Sequence, residues 1–145
     1  MNKIFLLFFV LVALTSCNIK RKDKIADDQS KALEQASKET TTVQIIDTLY
    51  DFGKVTDGEI VEFSFRFKNS GSKPLVINQP TASCGCTVAE KPEKPIMPGE
   101  IGFIKVNFNS KGRGPKADKT INVTSNAKPD FPPLQLRGEI LEKKQ

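Results

Sequence analysis

Val61-Glu62-Phe63-Ser64-Phe65-Arg66-Phe67-Lys68, followed by Asn69-Ser70-Gly71-Ser72, decides how this 145-residue chain is read. Apolar residues take every second position, with charged or hydroxyl side chains between them. Strand side chains alternate between faces, so Val61, Phe63, Phe65 and Phe67 share one face and Glu62, Ser64, Arg66 and Lys68 the other. The pattern predicts a strand with one dry and one wet face. Full burial of each phenylalanine is worth roughly 1.5–3 kcal/mol, and this is the strongest strand signal in the chain. The Asn-Ser-Gly-Ser run cannot extend the alternation and reads as a turn.

Outward from this strand the same period recurs, punctuated by turn residues. Val43-Gln44-Ile45-Ile46 reads as a first short strand, and Asp51-Phe52-Gly53-Lys54-Val55 leads into the Asp57-Gly58 turn. Pro74-Leu75-Val76-Ile77 begins another strand, expected to run to Cys84, and Thr87-Val88-Ala89 resumes extended structure. Residues 91–100 contain Pro92, Pro95, Pro98 and Gly99, which excludes helix and central strand. Ile101 to Phe108 is a strand with Ile104, Val106 and Phe108 on one face. Lys111-Gly112-Arg113-Gly114-Pro115 is a turn, Lys119 to Ser125 a strand, and Leu134, Leu136 and Ile140 lie on the last strand. About seven short strands in roughly a hundred residues, with no convincing helix, predict an all-β, immunoglobulin-like β-sandwich. There is no tryptophan and no antibody-type cysteine spacing, so that likeness is one of architecture.

The front of the chain is different. Lys3 precedes an apolar run from Ile4 to Leu14, then Leu14-Thr15-Ser16-Cys17. A charged start, a short apolar core and small residues predict a signal peptide over residues 1–16, too short to span a bilayer as a mature helix. The Leu-Thr-Ser-Cys run resembles the lipobox of bacterial lipoproteins. That resemblance implies lipidation of Cys17 and a membrane anchor made of acyl chains. Asn18, rather than aspartate, implies by the same resemblance transfer to the outer membrane, with the protein facing the periplasm. Residues 17–42 are polar, with few bulky apolar side chains, and predict a flexible linker carrying at most a turn or two of frayed helix. Lys20, Arg21, Lys22 and Lys24 read either as contacts to anionic headgroups or as solvated linker charge. The domain is expected over residues 43–141, with a charged tail at 142–145. The formal charge of +5 is spread out, and an exported chain meets little nucleic acid, so no nucleic-acid partner is expected.

Ser83-Cys84-Gly85-Cys86-Thr87 is the stretch with chemistry in it. Four readings stay open for Cys84 and Cys86. A disulfide between them suits an oxidising compartment. In extended strand their Cα atoms would lie roughly 6.5–7 Å apart, at the limit for bridging, and Gly85 is the residue that can bend the backbone closer. Such a small ring suits redox or disulfide exchange. Two thiolates could instead hold Cu(I), with Met97 a conceivable third soft ligand, whereas the absence of histidine leaves a zinc site poorly supported. The pair could link to a partner, or pack as a plain turn. Asp47-Thr48-Leu49 resembles a bacterial O-glycosylation acceptor at Thr48 but reads more simply as strand. Asn122-Val123-Thr124 is an incidental acceptor pattern, and the Lys111-Gly112-Arg113-Gly114 turn lacks phosphate-loop spacing.

Tyr50-Asp51-Phe52-Gly53, Gly58, the phenylalanine strand with Asn69-Ser70-Gly71, Pro74-Leu75, Ser83-Cys84-Gly85-Cys86-Thr87, Pro98-Gly99 and Ser125-Asn126 occur in one order. This order resembles the bacterial family catalogued as domain of unknown function 1573, over about Thr48 to Ile140. The resemblance implies the sandwich, an exported location and a cysteine motif of unknown purpose, and it brings no established activity. No nucleophile–base pair is visible and histidine is absent. The expectation is a non-enzymatic interaction or scaffold module of the cell envelope, without a cofactor, lipid-anchored and meeting a protein partner there. The competing expectation is a thiol-disulfide redox or Cu(I)-handling protein working through Cys84 and Cys86.

Overall fold

A computed structural model describes Asp28 and residues 30–143. The expected signal peptide, Cys17 and the basic cluster at 20–24 lie outside the described residues. The sandwich belongs to one compact unit, Ala36–Gln145. Its eight strands are β1 (Val43–Ile45), β2 (Leu49–Thr56), β3 (Ile60–Asn69), β4 (Thr81–Ala82), β5 (Thr87–Glu90), β6 (Ile101–Asn109), β7 (Lys116–Asn122) and β8 (Leu134–Leu141). One four-stranded sheet runs β1-β3-β6-β5 and is antiparallel throughout; the other runs β2-β8-β7-β4, with β2 and β8 parallel. The phenylalanine strand is therefore central in its sheet. Phe65 and Phe67 are sealed from solvent, facing Ile104, Val106 and Phe108 from β6 and Ile121, Leu134 and Leu136 from the other sheet. Phe63, at the thinner margin, is half-buried under Tyr50, whose ring stacks on it at 3.9 Å between centroids. Phe67 meets Phe131 edge-to-face at 5.3 Å.

The Tyr-Asp-Phe-Gly run has a mechanical reason. Opposite β8, the register of β2 slips by one residue between Asp51 and Lys54, which is a β-bulge. Gly53 sits there at φ +70°, in the left-handed region that side-chain-bearing residues avoid. The Asp51 carboxylate accepts the Gly53 N–H at 3.0 Å and holds the bulge shut. The bulge turns Phe52 inward across Gly138, where a Cβ would overlap its ring, and stacks it on Phe108 at 5.9 Å. Outside, the same sheet shows alternating charge: Asp51–Arg137–Asp118 in one row and Lys54–Glu139–Lys116 in the next.

Asn69 ends β3 and has no solvent exposure. Its Nδ2 donates to the carbonyls of Lys73 (2.7 Å) and Ile96 (2.8 Å), and its Oδ1 accepts from Gly71 N–H and the Thr41 hydroxyl, both at 3.1 Å. Every donor and acceptor of the amide is used. Asn126 plays a parallel part: its Oδ1 accepts Val76 N–H at 2.9 Å, and its Nδ2 reaches the carbonyls of Pro74, Glu39 and Ala36. These two side chains fasten the incoming chain to one end of the sandwich.

Three expectations change. Residues 30–38 are helical, and Thr41 is buried and bridges to Ala127, so attachment to the domain starts before Val43. The expected strand from Pro74 does not form. Leu75 exchanges both backbone hydrogen bonds with Ile96, whereas Asn78 N–H donates to Thr124 O. A segment whose bonds go to different parts of the fold runs no ladder, although Leu75, Val76 and Ile77 are all buried. Finally, β7 starts at Lys116 rather than Lys119, because Lys116 already pairs with Glu139.

Replacing Asn69 by alanine would remove four hydrogen bonds from a dry site, at about 0.5–1.5 kcal/mol each, although Gly71 N–H keeps Thr42 O and the carbonyls of Lys73 and Ile96 keep the Thr41 hydroxyl and Leu75 N–H. Asn69→Ala is expected to lose about 3 kcal/mol or more in urea unfolding, and Asn126→Ala less, because water reaches Asn126. Acid gives a second test. The Arg66 guanidinium, bonded to both oxygens of Asp47, lowers its carboxyl below the ordinary range; the Gly53 N–H, and then Arg137, do the same for Asp51. A depressed folded pKa adds stability that is complete above the ordinary carboxylate value and is lost as pH falls through the folded one. Stability should therefore decline below about pH 4, and Asp47→Asn should flatten the decline in a pH series of thermal unfolding.

Candidate functional site

The cysteine motif is the corner at which the chain changes sheets. β4 is an edge strand of one sheet, β5 an edge strand of the other, and residues 83–86 join them. Thr87 N–H closes a tight turn on Cys84 O at 3.2 Å. Before the turn, Ser83 N–H donates to Thr120 O at 2.9 Å and Ser83 Oγ accepts Thr120 N–H at 3.1 Å. After it, Cys86 O accepts Asn109 N–H at 2.9 Å. The corner is thus bolted to β7 on one side and β6 on the other.

Within the turn Cys84 and Cys86 form a disulfide, with their Cα atoms 5.3 Å apart. That is well inside the extended-strand separation, because the chain turns here instead of running straight. The reason expected for Gly85 needs correcting. Its φ is not positive, and a Cβ built on it meets nothing within 4 Å. Backbone freedom is therefore not what the turn draws on, and Gly85 is simply a bare, exposed crest. Cys86 is only 8% exposed and belongs to the core, whereas Cys84 is half-buried. Buried Thr87 places its hydroxyl 3.6 Å from Cys84 Sγ and 3.9 Å from Cys86 Sγ. Disulfide sulfurs carry no proton, so this hydroxyl is the donor.

Beside the corner runs an open groove lined by Ile60, Gly85, Cys86, Val88, Lys111 and Arg113, together with Asn107 and Asn109. Ile60 and Val88 are 64% and 55% exposed, large values for branched aliphatic side chains. The lining contains two cations and no carboxylate. Sequence reading found the cysteines but missed Ile60 and Val88, which belong to different strands and come together only through pairing with Asn109 and Asn107 of β6. Met97 lies elsewhere, exposed in the loop beside Glu100, whose carboxylate accepts its N–H. Thr48 is exposed between β1 and β2, next to an Asp47 carboxylate occupied by Arg66. Among the described residues, no group of three metal-ligating side chains gathers.

Because Gly85 has open space around it and ordinary backbone geometry, Gly85→Ala is expected to fold and keep its disulfide. Intact mass without reductant should match the oxidised form, with two alkylations appearing only after reduction. Free thiols in that variant would show that the turn needs glycine after all.

No curated protein matches the chain. Among solved structures it is similar to a protein of unknown function from Porphyromonas gingivalis W83, at TM-score 0.62 and 18% identity, covering 71% of this chain and 48% of that one. The chain thus spans about half the length of that relative. It is also similar to an ASH/PapD-like domain of human CEP192, at TM-score 0.55 and 16% identity, over 72% of this chain and 88% of that one. The secreted serine protease VesC of Vibrio cholerae shares the fold at TM-score 0.51 and 12% identity, over 72% of this chain and 24% of the protease. At such identities the likeness is one of fold: a PapD-like, immunoglobulin-like sandwich. The match that reaches sequence covers residues 43–140, and by it the chain belongs to the DUF1573 family, proteins of unknown function.

Proposed function

We propose that this protein is an exported lipoprotein, anchored through Cys17 and facing the periplasm, whose sandwich is a non-enzymatic interaction module. The observation that carries the reading is the groove at the disulfide corner. It exposes Ile60 and Val88 between Lys111 and Arg113, whereas the middle of the opposite sheet carries rows of paired charge, with Leu49 and Leu141 exposed at strand ends. Exposed apolar side chains grouped with polar neighbours are a common mark of partner contact. The groove also lies at the far end of the domain from where the chain enters. Thr41 and Asn69 sit at one end of β3, and Ile60, paired with Asn109, at the other, roughly 30 Å away for a ten-residue strand. A domain tethered at its entry end would hold the groove away from the membrane.

Strand addition is the less favoured mode of contact. β1 and β4 have three and two residues, and β2 is kinked by its bulge and carries Asp51 and Lys54. On β5, the Ala89 carbonyl is already taken by Gln79 Nε2. These are devices that blunt sheet edges. A second reading, thiol-disulfide exchange at Cys84 and Cys86, is favoured over Cu(I) handling by the disulfide itself, since metal binding needs both thiolates free.

A photo-crosslinker placed at Val88 in cells should capture a discrete partner, and one at Asp118 on the charged face should not. Ile60→Asp should abolish the capture without lowering the thermal midpoint, and Cys17→Ser should release the protein from the membrane fraction. Equal capture from both faces, or none from Val88, overturns the groove as the contact surface.

A further inference from the structure

We infer that the Cys84–Cys86 disulfide is one-sided: an incoming thiolate bonds to Cys84, and Cys86 is the sulfur that leaves. This rests on the thiol-exchange reading and adds to it a direction. A thiolate must approach a disulfide sulfur along the S–S axis, from the side opposite the sulfur that departs. Cys86 is only 8% exposed and belongs to the core, although it also lines the groove, so of the two residues it offers an incoming nucleophile the smaller opening. Cys84 is half-buried on a turn whose crest, Gly85, is bare. Cys84 is the more exposed residue of the pair.

The charge beside the departing sulfur agrees with this. Thr87 Oγ1, 3.6 Å from Cys84 Sγ and 3.9 Å from Cys86 Sγ, can donate to a thiolate on either sulfur and does not set the direction. Cys86 also lines the groove that carries Lys111 and Arg113, whose charge favours an anion at its wall. Cys86 O accepts Asn109 N–H, a backbone bond to β6 that does not depend on the disulfide. The resolving thiol is thus kept beside Cys84.

The electrons balance without any further reagent. The thiolate R–S⁻ forms a bond to Cys84 Sγ; the Cys84–Cys86 bond breaks; its electron pair leaves on Cys86 Sγ, which departs as a thiolate. The disulfide has moved and nothing is oxidised overall. Attack by a second thiol on the R sulfur releases R–S–S–R and leaves both cysteines reduced. The protein is then the oxidant of two thiols. The chemical class of the substrate is a thiol.

The test uses the oxidised full chain and glutathione, with N-ethylmaleimide added as a trap before Cys86 can close the ring again. Proteolysis without reductant and mass mapping then locate both groups, and any reaction of Cys17 maps to a separate peptide. The expected product carries glutathione on Cys84 and maleimide on Cys86, exceeding the reverse arrangement by at least about tenfold. In the single variants, the Cys84 thiol of Cys86→Ser should react with N-ethylmaleimide at least about ten times faster than the Cys86 thiol of Cys84→Ser, with thermal unfolding confirming that both are folded. If either variant fails to fold, the wild-type mapping decides. Glutathione found mainly on Cys86 overturns the direction and leaves exchange standing. An adduct that forms only when urea unfolds the chain overturns both.

Discussion

A single buried amide holds the end of this sandwich together. Asn69 finishes the strand that forms the centre of the core, and all four hydrogen-bonding positions of its side chain are filled from three other places in the chain. A buried polar group is costly unless satisfied, so the same amide that stabilises this arrangement also enforces it. The turn after β3, the loop at Ile96 and the approach at Thr41 must all be in position for Asn69 to be buried. Asn126 repeats the device on the neighbouring loop. Together they fix where the chain enters the domain, and hence which end is left open.

The other end is built for exposure. Its corner is covalently closed, bonded to both sheets, and crested by a glycine with open space where a side chain would stand. Rigidity and openness at one place suit presentation: a contact surface held stiff loses less entropy when a partner arrives. The apolar groove and the disulfide share this end, with Gly85 and Cys86 common to both.

The motif residues divide by how local their reasons are. Gly53 follows from a bulge that Asp51 closes two residues away. Thr87 follows from the turn it terminates. These reasons act across a few residues, and they explain why such short strings are recognisable at all. Gly138 is of the other kind: it is bare because Phe52, far away in sequence, lies over it. Leu75, Val76 and Ile77 mislead for a related reason. Burial makes them apolar like a strand, yet their hydrogen bonds are divided among separate parts of the fold, and apolarity reports burial rather than pairing.

By itself the sequence determined the architecture, because period-two alternation is a one-dimensional property that survives in the order of residues. It determined the core-facing set of β3, β6 and β8 in the same way, and it singled out Cys84 and Cys86 as the place with chemistry, because thiols two residues apart are near each other in any fold. Only the tertiary structure decided that Cys86 is the inner sulfur and Cys84 the outer. It alone brought Ile60, Val88, Lys111 and Arg113 to the same surface, and it alone turned Asn69 from a turn residue into a buried anchor. Each of those depends on which strands neighbour one another, and strand order is set by packing across the whole chain rather than by anything a short stretch of residues can carry.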